Sequence, residues 1–308
     1  MADELDAKSS DRRRCHWWRP LYRERTPVPL SGPSRYTPLA RWCESLRMSL
    51  TDAPAKAKAL YEARRTRTPI APFTDAEPTL GLADGYAVQQ ELVGLLLADG
   101  DDVIGYKVGL TSLPMQRMIG VDAPDYGPVL ASTRHADGAT VSLSDFIAPK
   151  VEAEIVFVLG APLRGPGVTL DQARAAIRGA VAGLEIVDSR IRDWRIKLAD
   201  TVADLASNGA MAVSDREVPV AGFDPRLVGM VLTRNGELVD TGAGAAALGD
   251  PVGVVAWLAN TLGGHGVTLD PGHLIMTGAL HAAVPMAAGD EFRAEFDRLG
   301  TITLRVDR

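Results

Sequence analysis

The run Lys150-Val151-Glu152-Ala153-Glu154-Ile155-Val156-Phe157-Val158-Leu159 constrains this chain more than any other. Its density of β-branched and aromatic residues, ended by Gly160-Ala161-Pro162, predicts a strand. Side chains in a strand alternate faces, so Glu152 and Glu154 point the same way, about 7 Å apart, while Val151, Ala153, Ile155 and Phe157 point the other way. Ile155 to Leu159 are all apolar, so the strand is expected to be covered on both faces there, leaving the two glutamates near the mouth of a cavity. Carboxylates among residues built for burial are costly unless compensated. A divalent cation would compensate them, and an all-carboxylate oxygen set favours a hard ion such as Mg²⁺ or Mn²⁺. Glu185, in the apolar run Leu184–Arg190, is the third candidate ligand and is expected to begin a strand after an intervening helix. The competing reading is plainer: glutamates at alternating positions also suit the solvent face of a half-buried edge strand.

A chain of 308 residues that is 46% hydrophobic can bury a sizeable core, and its net charge of −6 argues against nucleic acid as a partner. The charge is uneven. Residues 1–48 carry 10 Lys+Arg against 6 Asp+Glu, so the rest of the chain is strongly acidic. That segment also holds Arg12-Arg13-Arg14, Trp17-Trp18, five prolines and both cysteines, Cys15 and Cys43, with no sustained period of 2 or 3.6. It is expected to be a disordered extension or the product of an upstream start, with Met48 a plausible natural beginning. The absence of cysteine from the main body excludes a disulfide framework there and fits a cytoplasmic protein. No apolar run of 18 residues appears, so neither a membrane span nor a membrane partner is expected.

From Thr51, a candidate cap, a helix is expected through Lys56 to Arg65, and a second over Ala83 to Ala98. Gly105–Leu110 reads as a short strand that carries Lys107 between glycines, which allow close approach of backbone or ligand. Such a lysine can also simply snorkel to solvent. Thr111 to Gly120 reads as a short helix with Met115 and Met118 as core fillers, and Val121 to Pro128 as a turn-rich loop carrying Asp125. Thr169-Leu170-Asp171-Gln172 is a capping-box pattern opening a helix to about Ala182. Asn235-Gly236 turns a hairpin over 228–239, and Asp250-Pro251 opens a helix to Leu262. Strands are expected at 273–278, 291–296 and 301–306. The five histidines are scattered without ligand spacing, which argues against a zinc site. Many strands with isolated helices give an α+β class with a mixed, β-rich body rather than doubly wound βαβ units.

Taken in order, Gly105–Ser112, Gly120–Gly127, Lys150–Val158, Leu184–Trp194, Gly249–Asn260 and Thr277-Gly278 resemble the hydratase/decarboxylase branch of the fumarylacetoacetate hydrolase superfamily, from about residue 50 to the C-terminus. The resemblance implies a roll or barrel-like β-rich core over 131–308, a small N-terminal portion over 49–130, a homo-oligomer, and a Mg²⁺ or Mn²⁺ held by Glu152, Glu154 and Glu185. It also implies that Lys107 reaches the substrate, with Asp125 and the Asp204–Ser207 segment nearby. Where such enzymes have an amide after that Asp and Ser after the motif Ser, this chain has Leu205 and Asn208, and Leu has no side-chain hydrogen bond to offer.

The implied substrate is a small 2-keto or 2-hydroxy dienoic acid. Hydration of 2-hydroxypenta-2,4-dienoate to 4-hydroxy-2-oxopentanoate is the expected reaction, with Lys107 as proton donor or orienting cation. Decarboxylation of a 2-oxohexenedioate uses similar chemistry, and Leu205 makes a catalytically silent binding protein conceivable. Hydrolysis of an acylpyruvate C–C bond usually uses a His–acid pair, which is not found near the N-terminal helices. Arg134 and Arg195 are candidates for pairing a second substrate carboxylate.

Overall fold

Two mixed sheets share one apolar core. In a computed structural model that describes residues 52–112, 116–117 and 121–308, the larger sheet runs in the order β2 (Asp125–Leu130), β1 (Val103–Gly109), β10 (Leu274–Met276), β5 (Lys150–Leu159), β6 (Ile177–Val187), β7 (Asn208–Val213), β3 (Arg134–Ala136), with β11 (Val284–Pro285) also paired to β5. The smaller sheet runs β4 (Thr140–Ser142), β13 (Gly300–Asp307), β12 (Glu291–Phe296), β8 (Gly229–Arg234), β9 (Glu237–Ala243). β1–β10, β3–β7 and β4–β13 pair in parallel and the other neighbours antiparallel. The α+β expectation holds, as an open roll rather than a closed barrel.

Alternation along β5 sets the layers. Val151, Ala153, Ile155 and Phe157 face the core between the sheets, where they join Leu184 and Ile186 of β6, Phe292 and Ala294 of β12, and Ile302 and Leu304 of β13. Val156 and Val158 face the other way, with Val181, Met211, Leu274 and Met276. The opposite face of β5 is therefore apolar at one end and carries Glu152 and Glu154 at the other. The stretch Gly244–Gly264 is long and apolar enough to cross a membrane, with mean hydropathy 1.2 over its window. Within it, helix α5 (Pro251–Gly264) buries Val252, Val254, Val255, Leu258 and Leu262 in the same core.

The N-terminal helices α1 (Ala53–Thr66), α2 (Phe73–Ala76) and α3 (Leu82–Ala98) build a second cluster from Ala57, Leu60, Val88 and Leu92. They do not stand apart from the sheet. β1 and β2, which follow them, are hydrogen-bonded into the large sheet through β10, and the described residues belong to one compact unit, Glu44–Arg308. The expectations for residues 1–48, for a cap at Thr51 and for most of a helix over 111–120 fall on or beside residues outside the described ones; residues 116–117 are helical.

Three expectations change. The helix opened by the Thr169 capping box, α4 (Leu170–Ala176), ends at Ala176 rather than Ala182. Ile177–Val187 is an 11-residue strand, so Glu185 lies near its end and not at its beginning. Tertiary pairing overrides local propensity here, since Ala180 and Ala182 lie opposite Phe157 and Ile155 of β5. Asp125 lies in strand β2 and not in a loop. Pro128 disguises that strand, because it removes a ladder donor, but β2 is an edge of the sheet and an edge tolerates proline.

Candidate metal and substrate site

Antiparallel pairing of β5 with β6 places Glu152 directly opposite Glu185, with Glu154 two residues along β5 on the same face. Oxygens of the three carboxylates lie within 4.8 Å of one another. Glu154 and Glu185 are fully buried, and Glu152 is half-buried at the rim. Solvation cannot stabilise such a cluster of like charge. Burial, then Glu185, pushes Glu152 up to about 7. Burial, Glu185 and Glu152 push Glu154 well above the usual carboxylate range.

Lys107, also buried, lies with its Nζ 3.4 Å from Glu185 Oε1 and donates to the Ala206 carbonyl at 2.9 Å. Burial alone would lower its pKa. Glu185, Asp125, Glu152 and Glu154 outweigh that and hold the ammonium above the usual lysine range. Asp125 pairs in register with Gly109, whose missing side chain leaves the space: a Cβ there would lie 2.3 Å from Asp125 Oδ1 and 3.4 Å from Lys107 Nζ. Burial, only partly offset by Lys107, raises Asp125 to about 6.

The ammonium is aimed by an unusual turn. Leu205, Ala206 and Ser207 all have positive φ, at 56°, 51° and 58°. For residues with a Cβ this left-handed conformation costs roughly 1–2 kcal/mol each, so the surroundings must hold it. Asp204, before the turn, is fully buried and accepts from Arg190 Nε at 2.5 Å and from the Arg190 backbone N–H at 2.8 Å. Burial outweighs Arg190 and raises the Asp204 pKa. Ser207 Oγ lies 3.1 Å from Thr201 Oγ1, its N–H donates to the Asp204 carbonyl, and its own carbonyl accepts from the Asp188 N–H. β2 presses on the turn from outside, where a Cβ on Gly127 would lie 2.1 Å from the Leu205 carbonyl oxygen.

The structure thus brings Lys107, Asp125, Glu152, Glu154 and Glu185 together, and makes Asp204 and Ser207 holders of the turn beside them. Leu205 does not take a hydrogen bond away from the site. Its side chain packs with Leu60, Leu92 and Leu130 in the helical cluster, and the turn presents the Ala206 carbonyl instead. Sequence reasoning missed that carbonyl, since nothing in Leu-Ala-Ser signals positive φ. It also missed the role of Asn208, whose Nδ2 donates to Glu185 Oε1 at 2.8 Å. The Gly278 N–H, likewise unforeseen, donates to Glu154 Oε2 at 2.8 Å. Arg195 pairs with Asp75 at 2.8 Å at the surface and Arg134 is exposed, so neither joins the cluster.

Glu154 Oε1, Glu185 Oε2 and Asp125 Oδ1 are buried without a hydrogen-bond partner among the described residues. Orphaned buried acceptors are rare in native folds. Four carboxylates against one ammonium amount to a formal −3, which a dication reduces to −1. The oxygen-only donor set, its spacing and its orphaned lone pairs fit a hard divalent metal.

The family "Fumarylacetoacetate (FAA) hydrolase C-terminal" matches residues 117–307. A 2-hydroxyhexa-2,4-dienoate hydratase of Comamonas testosteroni is 41% identical over 81% of this chain and 96% of its own. A 2-keto-4-pentenoate hydratase of Paraburkholderia xenovorans is 43% identical over 80% and 91%. Among solved structures, 4-oxalocrotonate decarboxylase from Pseudomonas putida G7, complexed with magnesium and adipate, superposes with a TM-score of 0.81 at 37% identity, covering 83% of this chain and 97% of that one. On the strength of the matched region, the extent of these relatives and the shared fold, this chain belongs to the fumarylacetoacetate hydrolase family.

Proposed function

We propose that this protein is a metal-dependent hydro-lyase that adds water to 2-hydroxypenta-2,4-dienoate, giving 4-hydroxy-2-oxopentanoate. The observation that carries the reading is the buried Glu152/Glu154/Glu185 cluster with the Lys107 ammonium against it, in a chain about 40% identical to hydratases of small dienoic acids. Glu152, Glu154 and Glu185 would hold Mg²⁺ or Mn²⁺. When bound, such a cation supplies Lewis-acid stabilisation of negative charge developing on the substrate's C2 oxygen.

The remaining steps fall to the chain. Lys107, kept protonated by the surrounding carboxylates, presents a fixed cation to the substrate and a proton that it can deliver. Asp125, raised to about 6 and with one oxygen unpartnered, can exchange a proton near neutral pH. In the proposed sequence the 2-hydroxyl proton passes to Asp125, the C2–O bond becomes a ketone and C5 takes a proton from Lys107. A water oxygen then bonds to C4 as one of its protons passes to Lys107, and C3 takes the proton held by Asp125, which returns both groups to their starting states. The atoms of the dienoate and one water are all retained in the product. Asp204 and Ser207 act as positioning residues, through the turn that directs the Ala206 carbonyl at Lys107. The same proposal takes the protein as a homo-oligomer, as the family resemblance implies, and as cytoplasmic, a reading supported by the absence of cysteine from the main body.

Decarboxylation of a 2-oxohexenedioate is the second reading, and the 37% identity to a decarboxylase over most of the chain favours giving it a direct test. The two substrates should be run side by side with Mg²⁺ and mass detection of products. Loss of dienoate absorbance with incorporation of one water supports hydration. Rapid CO₂ release without hydration supports the decarboxylase, and turnover of neither rejects both.

A further inference from the structure

None of the carboxylate-cluster residues lines a second cavity, of about 270 Å³, whose walls include Arg64, Arg67, His135, Asp145, Asp188, Arg190 and Gly209. Taking a water as about 30 Å³, it has room for a small polyatomic ion with hydration. Arg64 lies on α1, Arg67 is the left-handed residue that ends that helix, and His135 lies on the edge strand β3. Two of the charged groups are already engaged. Arg190 donates to the Asp204 carboxylate and carbonyl and to the Asn208 carbonyl. Asp188 accepts from the N–H groups of Ile147 and Ala148.

Arg64 and Arg67 are different. A guanidinium offers five N–H donors in a fixed fork. Half-buried Arg64 spends one on the Gly209 carbonyl at 3.5 Å, the outer limit of a hydrogen bond. Arg67 spends none among the described residues, and neither residue has a carboxylate partner within ion-pair distance there. Burial, followed by repulsion from Arg190, lowers Arg64 to about 10, so it remains charged at neutral pH, with Asp204 and Asp188 acting on it from beyond ion-pair distance. A fork with spare donors and no direct ion pair, in a cavity and next to a second guanidinium, is built to receive oxygen lone pairs.

We propose that this cavity binds a small oxyanion of the phosphate or carboxylate class, held by Arg64 from within and by Arg67 at the rim. The site shares none of the carboxylate cluster's residues, although Arg190 in its wall also holds Asp204, and it does not depend on the hydratase reading.

Calorimetric titration of the Mg²⁺-loaded full chain with inorganic phosphate, and separately with acetate at matched ionic strength, tests it. Saturable binding at one site per chain is expected, and the tighter of the two anions identifies the class. Arg64→Gln and Arg67→Asn should each weaken it about tenfold or more, the scale of a lost charge-assisted hydrogen bond. Glu154→Gln should leave it unchanged. Arg67 is exposed and has φ 56°, a conformation asparagine tolerates, so this variant folds even where Arg64→Gln does not. Absence of saturable binding by either anion, an unchanged isotherm in Arg67→Asn, or loss of binding in Glu154→Gln would overturn the proposal.

Discussion

Lys107 reaches the Ala206 carbonyl at 2.9 Å, so a side chain on β1 is fixed by the backbone of three left-handed residues 99 positions further along the chain. That tie sets the direction of the ammonium, and the facing carboxylates keep it protonated. Lys107→Met should lower kcat of the Mg²⁺-loaded enzyme on the dienoate by about 10²-fold or more, the usual scale of acid–base assistance. The melting temperature of the same sample separates loss of chemistry from loss of fold. A kcat equal to wild type would reduce Lys107 to a counterion.

Glu154→Gln keeps shape and volume and removes one negative charge from the cluster. Weakening of Mg²⁺ binding by about 100-fold or more is expected by titration calorimetry, beyond the effect typical of groups that only support a ligand. The Gly278 N–H still finds an amide oxygen, so the fold should persist. Superimposable isotherms for the two proteins would remove Glu154 from the ligand set.

Asn208 touches Glu185 Oε1 at 2.8 Å and orients the carboxylate whose other oxygen is orphaned. Asn208→Ala should cost about 10-fold in Mg²⁺ affinity, and Asn208→Asp more, because it adds a negative charge where a donor stood. Equal affinities across the three proteins would show that Glu185 needs no such support.

The cluster also makes metal binding pH-dependent. In the metal-free chain Glu152 sits at about 7 against an ordinary 4.5, and Glu154 is also raised. A raised carboxyl contributes stability that is fully present below about 4.5 and is lost as pH rises through about 7. Mg²⁺ must displace those protons. The increase in melting temperature on adding millimolar Mg²⁺ to chelator-treated protein should therefore be small near pH 5 and large near pH 8. An increment that does not grow over that range would contradict the raised carboxyls.

A chain beginning at Met48 should retain activity on the dienoate within a few-fold of the full chain. The hydratase relatives match about 80% of this chain, the family match covers residues 117–307, and residues 1–48 differ from the rest in charge and composition. Loss of soluble protein on truncation would show that the segment belongs to the fold.

Local signals made parts of this site legible. The period of two in Lys150–Leu159 is a property of the strand itself, so the shared face of Glu152 and Glu154 could be read without a partner strand. Asn235-Gly236 likewise marks a turn by its own backbone preference, and it joins β8 to β9 as expected. Glu185 stands out in the sequence as a candidate, yet its position opposite Glu152 depends on how far β6 extends, and the alanines of β6 read locally as helix. Pro128 concealed β2, because only sheet order reveals that its missing N–H is at an edge. The turn at 205–207 left no trace at all. Its strain is held by Arg190, Gly127 and the helical cluster, contacts that exist only after folding.

The pairing of Glu152 with Glu185 also says where this chain can change length. Residues added to the connection between β5 and α4 lie beyond the strand ends and leave the register intact. One residue inserted in β5 between Glu154 and the irregularity at Val158/Leu159 would shift everything before it by one step. Val151 and Ala153 would then face the site, and both glutamates would enter the apolar core. Relatives that keep this chemistry should therefore show no insertion or deletion in this half of β5. The connection that follows, although tied to the body by the Leu163–Leu269 bridge and the Val168–Asn260 hydrogen bonds, can gain residues without moving the glutamates.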